Sequence, residues 1–470
     1  MFKIKILFFT VTLAFVISAC EFAGNESIPA PEQSLLQDNY ALNSMWYDPS
    51  GLADHISIAG TMAANPSAVM DANGNAVVVW HQGDGTGKNR IYESEYTGGI
   101  WNNPSSLSDS ISLAGNDAYN AEVAMDDAGN KIIVWGQFNG VDWSVYMAEY
   151  IVGTGWTTPT SIATGFVPQV AMDNSGNALI VWGQWLGAAE RFFKLERRNG
   201  GAWSAPTQVS TTGLFIGTVS AAISTGNHQG IIVWTQKNSV SGKLLVYKSE
   251  DRSGNGTGWT TPAQISTSST QEANETRVAI DSSGNTVVTW YQCDVNGSQI
   301  YKKEYRGGAW NVAAQISPSG TEAYNPIVAM DDNGNSIIVW SQKDVETPLP
   351  ARWQIFKSEY RSAVWVNPSS VTDNISLDGY DAVDPTVAMD NAGNAVIVWA
   401  QNNGTKSAMY RREYRGGSWS AQPALNGYFS PAGQNANTPI VVMDKVGNTA
   451  LSVWKQLDGS KAQIYKSEYR

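Results

Sequence analysis

One motif occurs eight times along this 470-residue chain, and the repeat constrains the fold more than any other feature. Each copy contains a short apolar segment, Asp-x-x-Gly-Asn, a run of β-branched residues and Trp-x-Gln. The clearest copies are residues 71–82, 126–137, 173–184, 281–292, 331–342 and 390–401. Residues 444–456 carry one extra position, and residues 224–236 are degenerate. The tryptophans recur about every 53 residues, a period typical of propellers and solenoids.

Each repeat predicts four β-strands. Gly and Asn of the Asp-x-x-Gly-Asn turn suit positive φ, so the turn links a first strand to a second. The second strand is almost continuously apolar, as in residues 77–80, which indicates burial on both faces between stacked sheets. The third strand contains Ile-Tyr-Lys-Ser-Glu-Tyr, complete at residues 464–469. A glycine turn follows, and the fourth strand opens on tryptophan.

The two ends of the chain indicate how the repeats are arranged. The eighth repeat stops at Arg470, after its third strand, while residues 46–52 resemble the fourth-strand segment 101–107. An N-terminal strand that completes the last blade explains both facts, because it closes the ring and removes open sheet edges. An open solenoid would need polar caps instead. The sequence therefore predicts an all-β, eight-bladed β-propeller of four-stranded blades.

The N-terminal sequence predicts an export signal followed by a tether. Lys3 and Lys5 precede an apolar stretch, residues 6–17, that is short for a membrane span. Residues 17–20, Ile-Ser-Ala-Cys, resemble the lipobox of bacterial lipoproteins. The resemblance implies cleavage of a signal peptide, residues 1–19, and acylation of Cys20; a plain secretory signal is the alternative.

The same resemblance suggests a location. In lipoproteins Asp after the cysteine favours retention at the inner membrane, and this chain has Glu21, so we expect lipid anchoring in the outer membrane. The periplasmic and surface sides both stay open. Residues 20–39 are polar and aperiodic, which predicts a flexible tether between the lipidated cysteine and the propeller, residues 40–470.

Charge and composition exclude several classes of partner. The net charge is −12 and Lys and Arg are scattered, so nucleic acid is not expected to bind. The three histidines lie in dissimilar settings, and Asp-x-x-Gly-Asn lacks the later bidentate Glu of a calcium loop. We therefore predict no metal and no cofactor. With Cys20 acylated, Cys293 is the remaining thiol, and we expect it to be a buried or loop cysteine. We expect a monomer.

Together the repeats resemble the BNR or sialidase-type propeller repeats, whose outer hairpin carries the Asp box Ser-x-Asp-x-Gly-x-x-Trp. The segment from Ser94 to Trp101 keeps the spacing of that box but has Tyr96 where the family has Asp. The resemblance implies the propeller fold. Sialidases use an arginine triad, a Tyr–Glu pair and an Asp, and none of these roles maps onto a numbered residue here. No catalytic residue is therefore predicted.

Eight glutamates occupy one repeated position of the third strand. They are Glu95, Glu149, Glu196, Glu250, Glu304, Glu359, Glu413 and Glu468. A catalytic pair needs two unlike carboxyl environments, so eight copies favour a structural role. The alternative is a set of equivalent ligand sites, because fucose-type propeller lectins also repeat Glu, Arg and Trp between blades. Arg follows the glutamate in several repeats but not in the first two.

Three tryptophans fall outside the repeated positions, and all three lie between the second and third strands. These loops, with those between blades, share one face and vary in length, whereas the turns on the other face are uniform. Variable loops on a rigid scaffold are where binding residues concentrate. The candidate ligand-binding residues are Trp143, Trp185, Trp353, Arg191, Arg352 and Asp142. Local packing of each tryptophan under its own loop is the alternative.

These observations favour a non-catalytic, envelope-anchored lipoprotein that recognises a glycan or a protein through the variable loops. A sialidase-like glycoside hydrolase is an alternative, and it requires Arg90, Arg191 and Arg352 to cluster with a Tyr and a carboxylate at the channel mouth. A structural subunit of an envelope complex is a third possibility.

Overall fold

The computed structural model describes residues 45–187, 189–198, 200–211, 216–295, 297–345 and 351–470. Residues 1–44, which include the predicted signal peptide, Cys20 and the tether, lie outside the described residues. Within the described ranges the regular structure consists of β-strands, and none of it is a helix that could cross a membrane.

The strands form eight antiparallel sheets, one for each repeat, which we number as blades one to eight in chain order. The first strands are Ala63–Met70, Ala118–Met125, Phe166–Met172, Ile216–Ile223, Ala273–Ile280, Ala323–Met330, Ala382–Met389 and Ala436–Met443. The second strands are Ala76–Gly83, Lys131–Phe138, Ala178–Leu186, Gly230–Lys237, Thr286–Asp294, Ser336–Lys343, Ala395–Asn402 and Ala450–Leu457. The third strands are Asn89–Thr97, Trp143–Ile151, Ala189–Arg197, Leu244–Asp251, Gly297–Arg306, Trp353–Arg361, Ser407–Arg415 and Ala462–Tyr469.

The fourth strands are short and in two blades divided. They are Ile100–Asn102, Gly155–Trp156 with Thr160–Thr164, Thr207–Gln208, Ala263–Gln264, Ala309–Trp310 with Ala314–Gln315, Val364–Val366, Ser418–Trp419 and Trp46–Tyr47. In several blades a proline interrupts this segment, as at Pro104, Pro159 and Pro262. Proline has no N–H to donate to the ladder, which limits the length of these edge strands.

The ring closes as predicted. Trp46 pairs with Tyr469 and Tyr47 with Glu468, so the N-terminal strand is the fourth strand of blade eight. The first strand of each blade packs against the first strands of both neighbours, including blade one against blade eight. Eight four-stranded blades therefore surround a central channel, and the predicted fold is confirmed.

The repeated residues build this frame. Val77, Val78 and Val79 are fully buried between blades, together with Trp80. The Trp80 indole donates to Gln82 Oε1 at 2.9 Å, which satisfies the buried N–H group. In the turns, Asp71 Oδ1 accepts the backbone N–H groups of residues 73 and 75, both at 2.8 Å, which forms an Asx-type turn. Trp-x-Gln and Asp-x-x-Gly-Asn are therefore structural.

Antiparallel order sorts the connections between strands. The uniform-turn face carries the turns from first to second and from third to fourth strands. The variable-loop face carries the loops from second to third strands and from each blade to the next. Each first strand therefore begins at the variable-loop face and runs along the channel wall.

Candidate functional site

The three stray tryptophans share one arrangement. Trp143 packs on Tyr119, with ring centroids 5.9 Å apart, and Trp353 packs on Tyr324 at the same distance. Trp185 is 59% exposed and packs on Phe166 at 6.0 Å. Each partner belongs to the first strand of the same blade. The tryptophans therefore do pack locally, as the alternative interpretation proposed, but their partners lie on the channel wall.

Of the predicted polar candidates, Asp142 and Arg352 lie in loops, whereas Arg191 lies in the third strand of blade three, Ala189–Arg197, and not in the loop before it. Arg352 pairs with Asp381 at 3.2 Å, and the nearly buried Arg191 donates from Nη1 to the backbone carbonyl of Glu190 at 2.7 Å. Asp142 is exposed in a tight loop of blade two, where its backbone N–H bonds to the side chain of residue 139.

The arginines that a sialidase-like site would need are held in separate blades. Arg90 of blade one pairs with Asp84 at 3.0 Å, whereas Arg191 belongs to blade three and Arg352 to blade six. Each is engaged by its own loop or strand, and the three blades are not neighbours. The structure thus does not bring this set together as the arginine triad that the hydrolase alternative requires.

The first strands contain a feature that the sequence analysis missed. In every blade the register between first and second strands shifts near the start of the first strand, which forms a β-bulge. Seven of these bulges hold a non-glycine residue at positive φ: Asn65, Asn120, Val167, Glu275, Asn325, Asp384 and Thr438. Bulges re-aim side chains and are frequent beside functional sites. These bulges encircle the channel near its variable-loop end.

A set of charged side chains, the channel cluster, lies among the bulges. Its members are Glu122, Glu275, Arg277, Asp384 and Lys455. Glu122 of blade two accepts hydrogen bonds from Ser67 Oγ of blade one at 2.8 Å and from Gln169 Nε2 of blade three at 3.2 Å. Contact with both neighbouring first strands places the Glu122 carboxylate on the inside of the ring.

Arg277 couples two of these carboxyl groups. Burial raises the pKa of Glu122, and the Arg277 guanidinium opposes that rise although it comes from blade five. Burial also raises the pKa of Glu275. Two interactions oppose that rise: the hydrogen bond that the Asn325 N–H group donates at 2.8 Å, and the charge of Arg277. Burial lowers the pKa of Arg277 itself. The electrostatic interaction between Glu122 and Arg277 therefore acts across the channel.

The rest of the cluster consists of two opposite charges, Asp384 and Lys455, that interact electrostatically. Burial raises the pKa of Asp384 and lowers that of Lys455, and each group partly offsets the shift of the other. Burial, followed by the charge of Lys455, lowers the pKa of His81 to about 4. At neutral pH the His81 imidazole is therefore uncharged and can both donate and accept hydrogen bonds.

A signal for this site was present in the repeat itself. The residue between Trp and Gln of the motif differs from blade to blade, although its neighbours recur. In chain order it is His81, Gly136, Gly183, Thr235, Tyr291, Ser341, Ala400 and Lys455. Its pairing partner lies at the start of the first strand, beside the bulge. The large or charged residues at this position, His81, Tyr291 and Lys455, contribute to the channel mouth.

The repeated glutamates bind neighbouring blades together. Glu304 accepts hydrogen bonds from Trp365 Nε1 of the next blade at 2.8 Å and from Arg306 Nε at 2.8 Å, and it also pairs with Lys302. Equivalent indole–carboxylate bonds join Trp46 to Glu413, Trp101 to Glu468, Trp203 to Glu149, Trp259 to Glu196, Trp310 to Glu250 and Trp419 to Glu359. These contacts support the structural interpretation of the eight copies.

Blade one departs from that scheme in a way that predicts a pH effect. In blade one, Glu93 occupies a position at which most blades have Lys. Trp156 Nε1 donates to Glu93 at 2.9 Å, and Lys131 pairs with Glu95. Burial, opposed by Lys131, raises the pKa of Glu93 to about 7. Because the folded pKa exceeds the unfolded value, stability is expected to fall as the pH rises from about 4.5 to about 7, by on the order of 2–3 kcal/mol.

A Glu93→Gln variant removes the titrating group, so its unfolding free energy should lose that slope. Urea denaturation of both proteins between pH 4.5 and 8 measures the difference. Parallel pH profiles would contradict the assignment.

The arrangement offers partly exposed aromatic rings beside a polar, charged channel. Among the described residues no group of three His, Cys, Asp or Glu could hold a metal ion. The side chains of the site can supply hydrogen bonds, ring stacking and, through the carboxyl groups, proton transfer.

No protein-family model and no curated protein matches the chain. Solved structures similar to it include a PL25 polysaccharide lyase, an ulvan lyase bound to a glucuronate–rhamnose sulfate unit, at 12% identity and TM-score 0.45, covering 74% of this chain and 92% of that one. A Dyadobacter fermentans protein of unknown function shows 12% identity, TM-score 0.41 and coverage of 90% and 99%. The Aleuria aurantia lectin in complex with a fucosyl-GlcNAc shows 14% identity, TM-score 0.36 and coverage of 69% and 99%. Similarity at this level assigns no activity to this chain.

Proposed function

We propose that this protein is an envelope-anchored lipoprotein that binds a glycan at the variable-loop mouth of its channel and does not transform it. The observation that carries the proposal is the pairing of partly exposed aromatic rings with the channel cluster. Sugar rings present apolar C–H faces and hydroxyl edges, so aromatic side chains beside charged and amide groups match both. Trp143 and Trp353 are the main stacking surfaces, and Trp185 with Arg191, Arg352 and Asp142 lies at the periphery.

The charges of the site favour a neutral glycan. Three carboxyl groups and two cations make up the channel cluster, so the mouth offers no net positive charge to an anionic sugar. Arg277 is its single arginine, and both Glu122 and Glu275 influence it. A carboxylated or sulfated glycan would meet these acidic groups directly.

The path of the chain supports an anchored binding protein. The Met45 N–H group donates to the Arg470 carbonyl at 3.0 Å, beside the pairing of Trp46 with Tyr469, so the chain enters the propeller at the uniform-turn face. We propose acylation at Cys20, which leaves about 25 residues of tether that can extend to roughly 85 Å.

A glycoside hydrolase is the second candidate, and the pair Glu122 and Glu275 favours it. Burial raises the pKa of both carboxyl groups, yet Glu122 accepts two side-chain hydrogen bonds and Glu275 accepts a backbone N–H. Unlike environments are what an acid and a base or nucleophile require.

A glycan array probed with the purified full-length protein tests the proposal. We expect binding to neutral glycans and at least a tenfold loss of affinity in Trp143→Ala and Trp353→Ala, since each removes a stacking face. Val240→Ala changes a 94% exposed loop tip on the same face and is the matched control. Absence of any glycan binding, or equal binding by all variants, would contradict the proposal.

An assay for reducing ends on the bound glycan separates the two candidates. We expect none to be released. If the unmodified protein released reducing ends and both Glu122→Gln and Glu275→Gln failed to do so, hydrolysis would replace binding as the function.

A further inference from the structure

We propose that the channel mouth has two equivalent aromatic subsites on opposite sides, and that the ligand is a linear, neutral oligosaccharide long enough to bridge them. This inference rests on the proposed function and specifies the class of glycan. It follows from how the rings of the first, second and third strands meet between blades.

The first subsite joins blades one and two. His81 of blade one meets Tyr119 of blade two edge to face, with centroids 5.0 Å apart and planes at 74°. Tyr119 in turn packs on Trp143 at 5.9 Å and 46°. Asn89 Nδ2 donates to the Tyr119 hydroxyl at 2.8 Å, which fixes the ring. The three rings thus form one cluster across the interface of blades one and two.

The second subsite joins blades five and six with nearly the same geometry. Tyr291 of blade five meets Tyr324 of blade six edge to face, at 5.0 Å and 81°. Tyr324 packs on Trp353 at 5.9 Å and 48°. Tyr291 occupies the repeat position of His81, Tyr324 that of Tyr119, and Trp353 that of Trp143. The two clusters are therefore equivalent elements of the repeat and not chance contacts.

The positions of the two clusters in the ring suit them to bind the two ends of one ligand. Blades one and two are four positions away from blades five and six, which is half of an eight-bladed ring, so the clusters face each other across the mouth. Among the described residues these two blade pairs alone have a ring at the position between Trp and Gln. Blade three has a similar pair, Phe166 and Trp185, but Gly136 stands where the third ring would be.

A ligand that reaches both clusters must pass over the channel cluster. Glu122 and Arg277 lie on the first strands of blades two and five, one on each side of the channel, and they can bond to the hydroxyl groups of a central sugar unit. A linear chain satisfies this arrangement, because its terminal units stack on rings while its middle unit crosses the polar opening. Occupying two linked subsites raises affinity through effective concentration, without new contacts at either one.

Isothermal titration of the full-length protein with neutral, linear oligosaccharides of two to eight units tests the inference. The series is taken from the glycan identified on the array. We expect affinity to rise in a step of about 100-fold once the chain spans both clusters, and to change little with further length. Trp143→Ala and Trp353→Ala should each abolish the step. The affinities of these two variants for the shortest ligands should lie within a few fold of each other.

Val240→Ala is the control, since it changes a 94% exposed loop tip of the variable-loop face that lies outside both clusters. It should retain the step, and thermal unfolding should show that all three variants are folded. Affinity independent of length, or sensitivity to only one of Trp143 and Trp353, would overturn the two-subsite inference while leaving glycan binding intact. Failure to bind any glycan would instead overturn the proposed function.

Discussion

A Trp46→Ala variant is expected to lose about 3–5 kcal/mol of unfolding free energy, because Trp46 holds the strand that closes the ring. Its indole donates to Glu413 of blade seven at 2.7 Å, and its ring packs on Tyr469 at 5.6 Å and under the Arg411 guanidinium at 4.3 Å. Asp48 adds an ion pair to Arg411 at 2.7 Å. This strand does not follow the third strand of blade eight through a short turn, so side-chain contacts and backbone pairing must hold it in place.

Trp365→Ala provides the matched comparison. Trp365 donates to Glu304 at 2.8 Å and packs on Tyr360 at 5.5 Å, so this substitution removes nearly the same local interactions. Its strand, however, follows the third strand of blade six after a two-residue turn. We expect a clearly smaller decrease in unfolding free energy for Trp365→Ala, measured by chemical denaturation.

Hydrogen exchange gives a second measurement of ring closure. The amides of Ala462–Tyr469 should exchange faster in Trp46→Ala, whereas those of Trp353–Arg361 should stay protected in Trp365→Ala. Equal stability losses and equal protection in the two variants would show that the N-terminal strand does not control closure.

The fold could be predicted because the information for it is repeated. Eight copies of Trp-x-Gln and Asp-x-x-Gly-Asn report the same buried strand and the same turn, so the number of blades follows from counting. The missing fourth strand and its match near Trp46 then fix the closure. The fourth strands are shorter than expected, since prolines such as Pro104 and Pro262 remove ladder hydrogen bonds.

The site could be predicted only in part, because it depends on register. The variable loops led to the face and to the two tryptophans, Trp143 and Trp353, on which the proposed site depends. Their partners could not be inferred, since a bulge shifts the first strand by a residue and so decides which side chain faces the channel. Glu122 and Arg277 are thus unremarkable in the sequence and adjacent to the site in the structure. The variation of one position inside an otherwise constant motif, as at His81 and Tyr291, is the sequence signal for the channel mouth, but it does not identify Glu122, whose blade has Gly136 there.

An Arg277→Met variant is expected to lose about 3 kcal/mol of unfolding free energy at pH 8 and much less at pH 5. Arg277 is the cation that opposes the raised pKa values of Glu122 and Glu275, and removing one partner of a buried charge group leaves the others uncompensated. Without Arg277 both folded pKa values rise further. A carboxyl whose folded pKa exceeds its unfolded value loses stability as the pH rises through the folded pKa, so the penalty appears at high pH.

Glu122→Gln combined with Arg277→Met isolates the electrostatic cause from the loss of packing. The amide keeps the hydrogen bond from Ser67 and removes one of the two uncompensated charges, so the double variant should recover part of the stability at pH 8 and have a shallower pH profile. Denaturation of the four proteins of this cycle at both pH values measures the coupling. If Arg277→Met were equally destabilising at pH 5 and pH 8, the role of Arg277 would be packing. The channel would then lack the charge coupling that the proposed glycan contact at Glu122 depends on.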